Sequence, residues 1–141
     1  MTTSFQVAVA GTYSFQVGTD WGRGGAAALL DGTNGSVLSQ RVLTGNVWWN
    51  NDWNNASVFT TTSTFTAGQN VTLSWVGFED CCGGSSTIRF SVDGGAFQSL
   101  TAANFQPYTV AVVPEPTSAL LLGLGLVGLS LAGTRFTRLM R

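Results

Sequence analysis

Cys81 and Cys82 stand side by side in this 141-residue chain, and they are its only cysteines. Any disulfide within the chain must therefore join neighbours. Adjacent Cα atoms lie about 3.8 Å apart across a trans peptide, short of the roughly 4.4–6.8 Å that a disulfide normally spans, so such a bridge needs a distorted peptide. Gly83 and Gly84 follow at once and permit unusual backbone angles. An oxidising compartment would favour a vicinal bridge between Cys81 and Cys82. Its bland role is a rigid turn that pins a loop; its functional role is a flat apolar patch on which a ring can rest. Redox chemistry is disfavoured, because no cation stands beside the thiols and Glu79 and Asp80 oppose a thiolate.

A second cluster is aromatic. Trp48, Trp49 and Trp53 are interleaved with Asn50, Asn51, Asp52, Asn54 and Asn55, a loop composition rich in turn formers. An indole face stacks on the apolar side of a pyranose while amides and carboxylates bind its hydroxyls. Trp48, Trp49, Asn51, Asp52 and Trp53 are therefore candidate glycan contacts. The competing expectation is a loop that folds back and plugs the end of the domain with tryptophan. Exposure of the three indoles discriminates the two. Asp20, Asp31, Glu79 and Asp80 are oxygen ligands of the type calcium takes, but none lies in an Asp-x-Asp-x-Asp repeat. Structural calcium is thus an open option, with no metal site and no cofactor assigned. Glycoside hydrolysis needs two carboxylates at a set distance across a cleft, which spacing in sequence cannot show.

Composition removes other classes of function. There is no histidine, and all six basic residues are arginine. Imidazole acid–base catalysis, Schiff-base lysine chemistry and the P-loop lysine are absent. A formal net charge of −1 argues against a nucleic-acid partner, which needs a cationic footprint.

The elements that must position these groups read as strands. Runs of alternating apolar and polar residues cover 4–10, 12–18, 26–30, 36–43, 58–65, 71–78, 87–92, 96–100 and 105–112. Asp31-Gly32, Ala67-Gly68-Gln69-Asn70 and Asp93-Gly94-Gly95 punctuate them as turns. No window up to residue 113 carries a helical stripe. The expectation is an all-β domain over 1–113, an antiparallel β-sandwich or jelly roll, large enough to bury a core without staples.

Chemistry changes at Pro114. Pro114-Glu115-Pro116 cannot continue a strand or helix and reads as a stiff linker. Thr117 to Thr134 holds no charge; as a helix it spans about 27 Å, close to the hydrocarbon core of a bilayer. Arg135, Arg138 and Arg141 follow as a basic cluster expected to stay cytoplasmic, which leaves the domain on the far side of the membrane. Within this segment Gly123, Gly125 and Gly128 match a dinucleotide-binding pattern, but no acid follows, and small residues of a membrane helix explain them.

This three-part tail resembles the PEP-CTERM sorting signal of Gram-negative bacteria. The resemblance rests on Val113-Pro114-Glu115-Pro116, the Leu/Gly-rich span from Ala119 to Gly133, and the terminal arginines. It implies export, transient anchoring in the inner membrane, recognition near Pro114-Glu115-Pro116 by an exosortase-type processing enzyme, and release to the cell surface or extracellular matrix. Such proteins also carry an N-terminal signal peptide. Met1 to Ala10 has no basic start and no long apolar run, so the expectation is a start further upstream or a truncated chain, with these residues already a strand. The stretches Gly11-Thr-Tyr-Ser-Phe15, Asp20-Trp-Gly-Arg-Gly-Gly25, Leu30-Asp31-Gly32, Trp48-Trp49 and Gly77-Phe-Glu-Asp-Cys-Cys-Gly83 make the domain similar to the CCXG group of PEP-CTERM proteins. That resemblance implies no biochemical activity. A looser likeness, to protective-antigen-type carbohydrate-binding sandwiches, implies calcium at a pair of aspartates, whereas here Asp20 is followed by Trp21. The combined expectation is a non-enzymatic exported sandwich, with exopolysaccharide as its candidate partner. A ligand-free matrix protein and a carboxylate-dependent glycoside hydrolase are the alternatives.

Overall fold

Along Tyr13-Ser14-Phe15-Gln16-Val17 the apolar side chains are buried and the polar ones are not. Strand geometry sends neighbours to opposite faces, so this alternation gives a sheet with one apolar and one hydroxyl-bearing side. The computed structural model describes residues 1–80 and 84–110, which belong to one compact unit, Met1–Ala111.

Two antiparallel sheets face each other. The first contains β1 (Thr2–Val7), β3 (Gly24–Asp31), β4 (Val37–Thr44), β7 (Asn70–Gly77) and β10 (Thr109–Val110), in the order β10-β1-β7-β3-β4. The second is built around β2 (Gly11–Trp21). On one side β2 pairs with β8 (Ser86–Val92), which in turn pairs with β9 (Gln98–Ser99). On its other side it pairs with β6 (Phe59–Phe65) over Gly11–Val17 and with β5 (Val47–Trp48) at Asp20 and Trp21. Along the β4/β6 side the sheets are tied together, where the Thr62 amide donates to Ser39 Oγ at 3.2 Å and Arg41 donates to the Ala56 carbonyl at 3.2 Å.

The core is the sum of the two inner faces. Phe5, Val7, Leu29, Val71 and Leu73 of the first sheet meet Tyr13, Phe15, Phe65 and Phe90 of the second. A second cluster holds Val17, Trp21, Ala27, Val47 and Phe59. Trp21 reaches across the layer onto Gly25 and Gly77, which are paired partners in β3 and β7; a Cβ at either would collide with its indole. Close approach of a ring is what removes the side chain at such strand positions.

Several boundaries differ from the alternation pattern. Within the described residues the expected strand over 105–112 is instead the end of a short helix α1 (Ala102–Phe105), a 3-10 turn (Gln106–Tyr108) and the two residues of β10, and residues 111–112 lie outside them. Thr101 caps α1, its hydroxyl accepting from the Asn104 amide at 3.2 Å, and Pro107 lies in the first turn of the 3-10 segment. The helix serves to seat Phe105, whose ring centroid lies 4.9 Å from that of Phe5 and 4.7 Å from that of Phe90, both edge-on. Such edge-to-face contacts add roughly 0.5–1.5 kcal/mol each beyond burial. The strand expected over 96–100 shrinks to β9, and β2 extends three residues further than its pattern, to Trp21. Among the described residues no helix is long and apolar enough to cross a membrane. The expected linker 114–116, membrane helix 117–134 and basic tail 135–141 lie outside the described residues, as do Cys81 and Cys82 and the bridge expected between them.

Candidate functional site

The tryptophan segment leaves β5 and returns along the outer face of the second sheet. Asn50 and Asn51 both have positive φ, +54° and +57°, and the Asp52 amide donates back to the Trp49 carbonyl at 2.9 Å. This is a type I′ turn, whose two central positions asparagine tolerates well. Asp52 Oδ1 accepts from the Asn54 amide at 2.9 Å, and Asn55 Oδ1 accepts from the Ser57 amide at 2.8 Å. The polar residues expected to greet sugar hydroxyls thus mainly shape their own loop. Asn51 serves the turn through its backbone, and Asp52 caps the next one.

The three indoles have three different fates. Trp49 is buried, only 8% exposed, because its ring lies flat on Gly18 in the middle of β2. Trp53 is half-buried against it, ring centroids 4.3 Å apart. Trp48 is 58% exposed. The expected plug therefore exists in part, but it covers the outer face of a sheet and does not fill an end of the sandwich. The Arg89 guanidinium completes the cover, 4.4 Å from the ring centroids of both Trp53 and Phe97.

Trp48 borders an open pocket of about 460 Å³ lined also by Asp20, Gly22, Asn46, Glu79 and Asp80. Three elements assemble it. Asp20 is the residue of β2 paired with Trp48 of β5, and Glu79 and Asp80 follow β7. Asp80 packs on Gly22, where a Cβ would meet it at 2.6 Å, and it accepts from Arg23 Nε at 2.8 Å. The Glu79 carboxylate occupies the space a side chain at Gly84 would take. All three carboxylates are exposed. The fourth calcium candidate, Asp31, stands at the other end of β3, and its Oδ1 accepts from the Thr33 and Asn34 amides at 2.8 and 3.2 Å. Among the described residues no three carboxylates, thiols or imidazoles gather closely enough to hold a metal ion.

Asn46, Phe97 and the Arg89–Gln16 pair were not singled out by residue type or spacing. Gly18 carried a usable signal: a glycine inside an otherwise alternating strand marks a close approach. Phe97 follows the turn at Asp93-Gly94-Gly95 on the same hairpin as Arg89, so the expected hairpin carried that contact, whereas Trp53 comes from a distant loop.

No curated protein and no solved structure matches the chain. Residues 112–135 match a family model described as the PEP-CTERM protein-sorting motif, which includes Pro114, Glu115, Pro116 and Arg135. Such a motif marks export and processing by an exosortase. What the chain shares with a known family is this segment, and by it the chain is a bearer of a PEP-CTERM sorting motif.

Proposed function

We propose that the chain is an exported surface or extracellular-matrix protein whose β-sandwich contacts neutral glycans through the Trp48 pocket. In this reading an exosortase-type enzyme processes it near Pro114-Glu115-Pro116, after anchoring by the uncharged run 117–134 with Arg135, Arg138 and Arg141 on the cytoplasmic side. The observation that supports the glycan contact is the exposed Trp48 indole beside Asp20, Asn46 and Glu79 in an open pocket. A ring that size is costly to leave in water, and a sugar face flanked by hydrogen-bonding groups covers it well. Asp80 is held by Arg23 and contributes shape more than binding.

The test is a neutral-glycan array probed with the full chain in mild detergent, wild type against Trp48→Ala. Binding that disappears in the variant, with unchanged melting temperature, supports the reading. An array with no hits, or one unaffected by Trp48→Ala, overturns the glycan contact and leaves a purely structural matrix role. That second reading draws support from the packed state of Trp49 and Trp53.

A further inference from the structure

Arg23, Arg41 and Arg89 spend their charge differently. Arg23 pairs with Asp80, and Arg41 is exposed and reaches a carbonyl. Arg89 is half-buried on the outer face of the second sheet, and no carboxylate pairs with it among the described residues. Burial pulls its pKa below the ordinary arginine value, although a guanidinium remains a cation at neutral pH. Removing a cation from water without a counter-charge is unfavourable, and two ring faces only partly offset it.

The guanidinium is held in place from several sides. Its Nε donates to Gln16 Oε1 at 2.7 Å, and Gln16 Nε2 donates to Thr60 Oγ1 at 3.3 Å, a row crossing β8, β2 and β6. Trp53 and Phe97 lie against it at 4.4 Å. The two terminal nitrogens have no protein acceptor among the described residues. A planar fork fixed through its Nε presents parallel N–H groups, which match a carboxylate bidentately.

We infer that Arg89 is an anion-binding site for the carboxylate of a uronic acid in an acidic polysaccharide. Trp53 and Phe97 each turn a face to the guanidinium, and the outer edges of those rings would border the sugar. The surface suits a polymer lying on a sheet better than a peptide. A peptide captured by strand addition pairs along an edge strand, whereas Arg89 lies on the outer face of β8, an inner strand between β2 and β9. The site is separate from the Trp48 pocket, whose carboxylates would repel the same ligand.

Isothermal titration of the full chain in non-ionic detergent, with a short oligouronide and with its carboxyl-reduced neutral counterpart, tests the assignment. The oligouronide binds at least tenfold more tightly than the reduced form, which has only the Trp48 pocket, and the difference shrinks as salt rises. Arg89→Lys keeps the charge but loses the fork, and weakens binding about tenfold or more. Trp48→Ala leaves oligouronide binding unchanged while removing neutral-glycan binding, which separates this site from the proposed function. Equal binding of the two oligosaccharides, binding of neither, or wild-type affinity in a folded Arg89→Lys overturns the inference. The comparison of the two oligosaccharides on wild-type protein decides the matter even where a variant fails to fold.

Discussion

Gly18→Ala isolates the contact that holds the tryptophan loop to the sheet. Trp49 rests on Gly18, and an added Cβ would lie 2.5 Å from Trp49 Cε3, with other ring atoms nearby. Something must shift; Gly18 is paired with Thr87 of β8, and β2 is held on its other side by β6 up to Val17 and by β5 from Asp20, so the ring gives way. Forcing an extra methyl into packed space costs roughly 1–3 kcal/mol. Alanine in a strand interior recovers about 0.5–1 kcal/mol over glycine. In the wild-type background the net loss is about 1–2 kcal/mol, or about 4–8 °C in melting temperature at the scale of a domain this size. In a Trp49→Ala background the obstruction is gone, and the same substitution is neutral or stabilising by about 0.5 kcal/mol. The double-mutant cycle should therefore return a coupling of about 2 kcal/mol, well above the scatter for independent sites. Urea denaturation of the four proteins gives the cycle, and near-ultraviolet circular dichroism reports the Trp49–Trp53 pair directly. A cycle additive within about 0.5 kcal/mol would show that Trp49 does not depend on the bare backbone at Gly18.

Other expected outcomes are independent of that contact. The Thr61 hydroxyl is buried on the inner face of β6 with no hydrogen-bond partner among the described residues, so Thr61→Val raises stability by about 1 kcal/mol in chemical denaturation, whereas a loss would reveal a hidden partner. Tyr13 is fully buried, its hydroxyl donates to the Val9 carbonyl at 2.6 Å, and its pKa is raised by burial first, then by Asp93 and Tyr108. A proton held more tightly in the folded state means full stability below about pH 10 and a decline as pH rises through the folded value. Denaturation midpoints between pH 8 and 11 should show this decline, and Tyr13→Phe should flatten it while costing about 1 kcal/mol at neutral pH. Replacing Pro114, Glu115 and Pro116 by alanine should leave the protein in the membrane fraction at unprocessed mass; release with the normal mass would refute the sorting assignment.

Where side chains alternate in register with a local turn, the sequence pattern carried through to the fold. Tyr13, Phe15 and Val17 point inward as expected, and Asp93-Gly94 turns as expected, with φ of +50° and +72°. The misplaced strand over 105–112 shows the limit. Phe105 alternates plausibly, but the Thr101 cap and Pro107 decide the backbone there, and both were visible in the sequence. The candidate site was legible only by residue type. Trp48, Asp20, Glu79 and Asp80 were each named, yet their convergence depends on β2 pairing with β5, which no local spacing encodes. The loop asparagines were ambiguous for a physical reason: Asn and Asp hydrogen-bond nearby backbone as readily as they bind ligand.

The outer rows of the sheets are joined by hydroxyl pairs: Ser4 with Thr72, Thr12 with Thr64 and Ser14 with Thr62, each at 2.9 Å. None of these groups ionises between mild acid and mild alkali, and dissolved ions scarcely attenuate a neutral dipole contact. A domain stitched this way keeps its cross-strand adhesion from dilute pond water to brine, and through acid swings that would strip a carboxylate–arginine lattice. For an exported molecule, beyond the reach of cytoplasmic buffering, that indifference to the bathing medium is itself a working property.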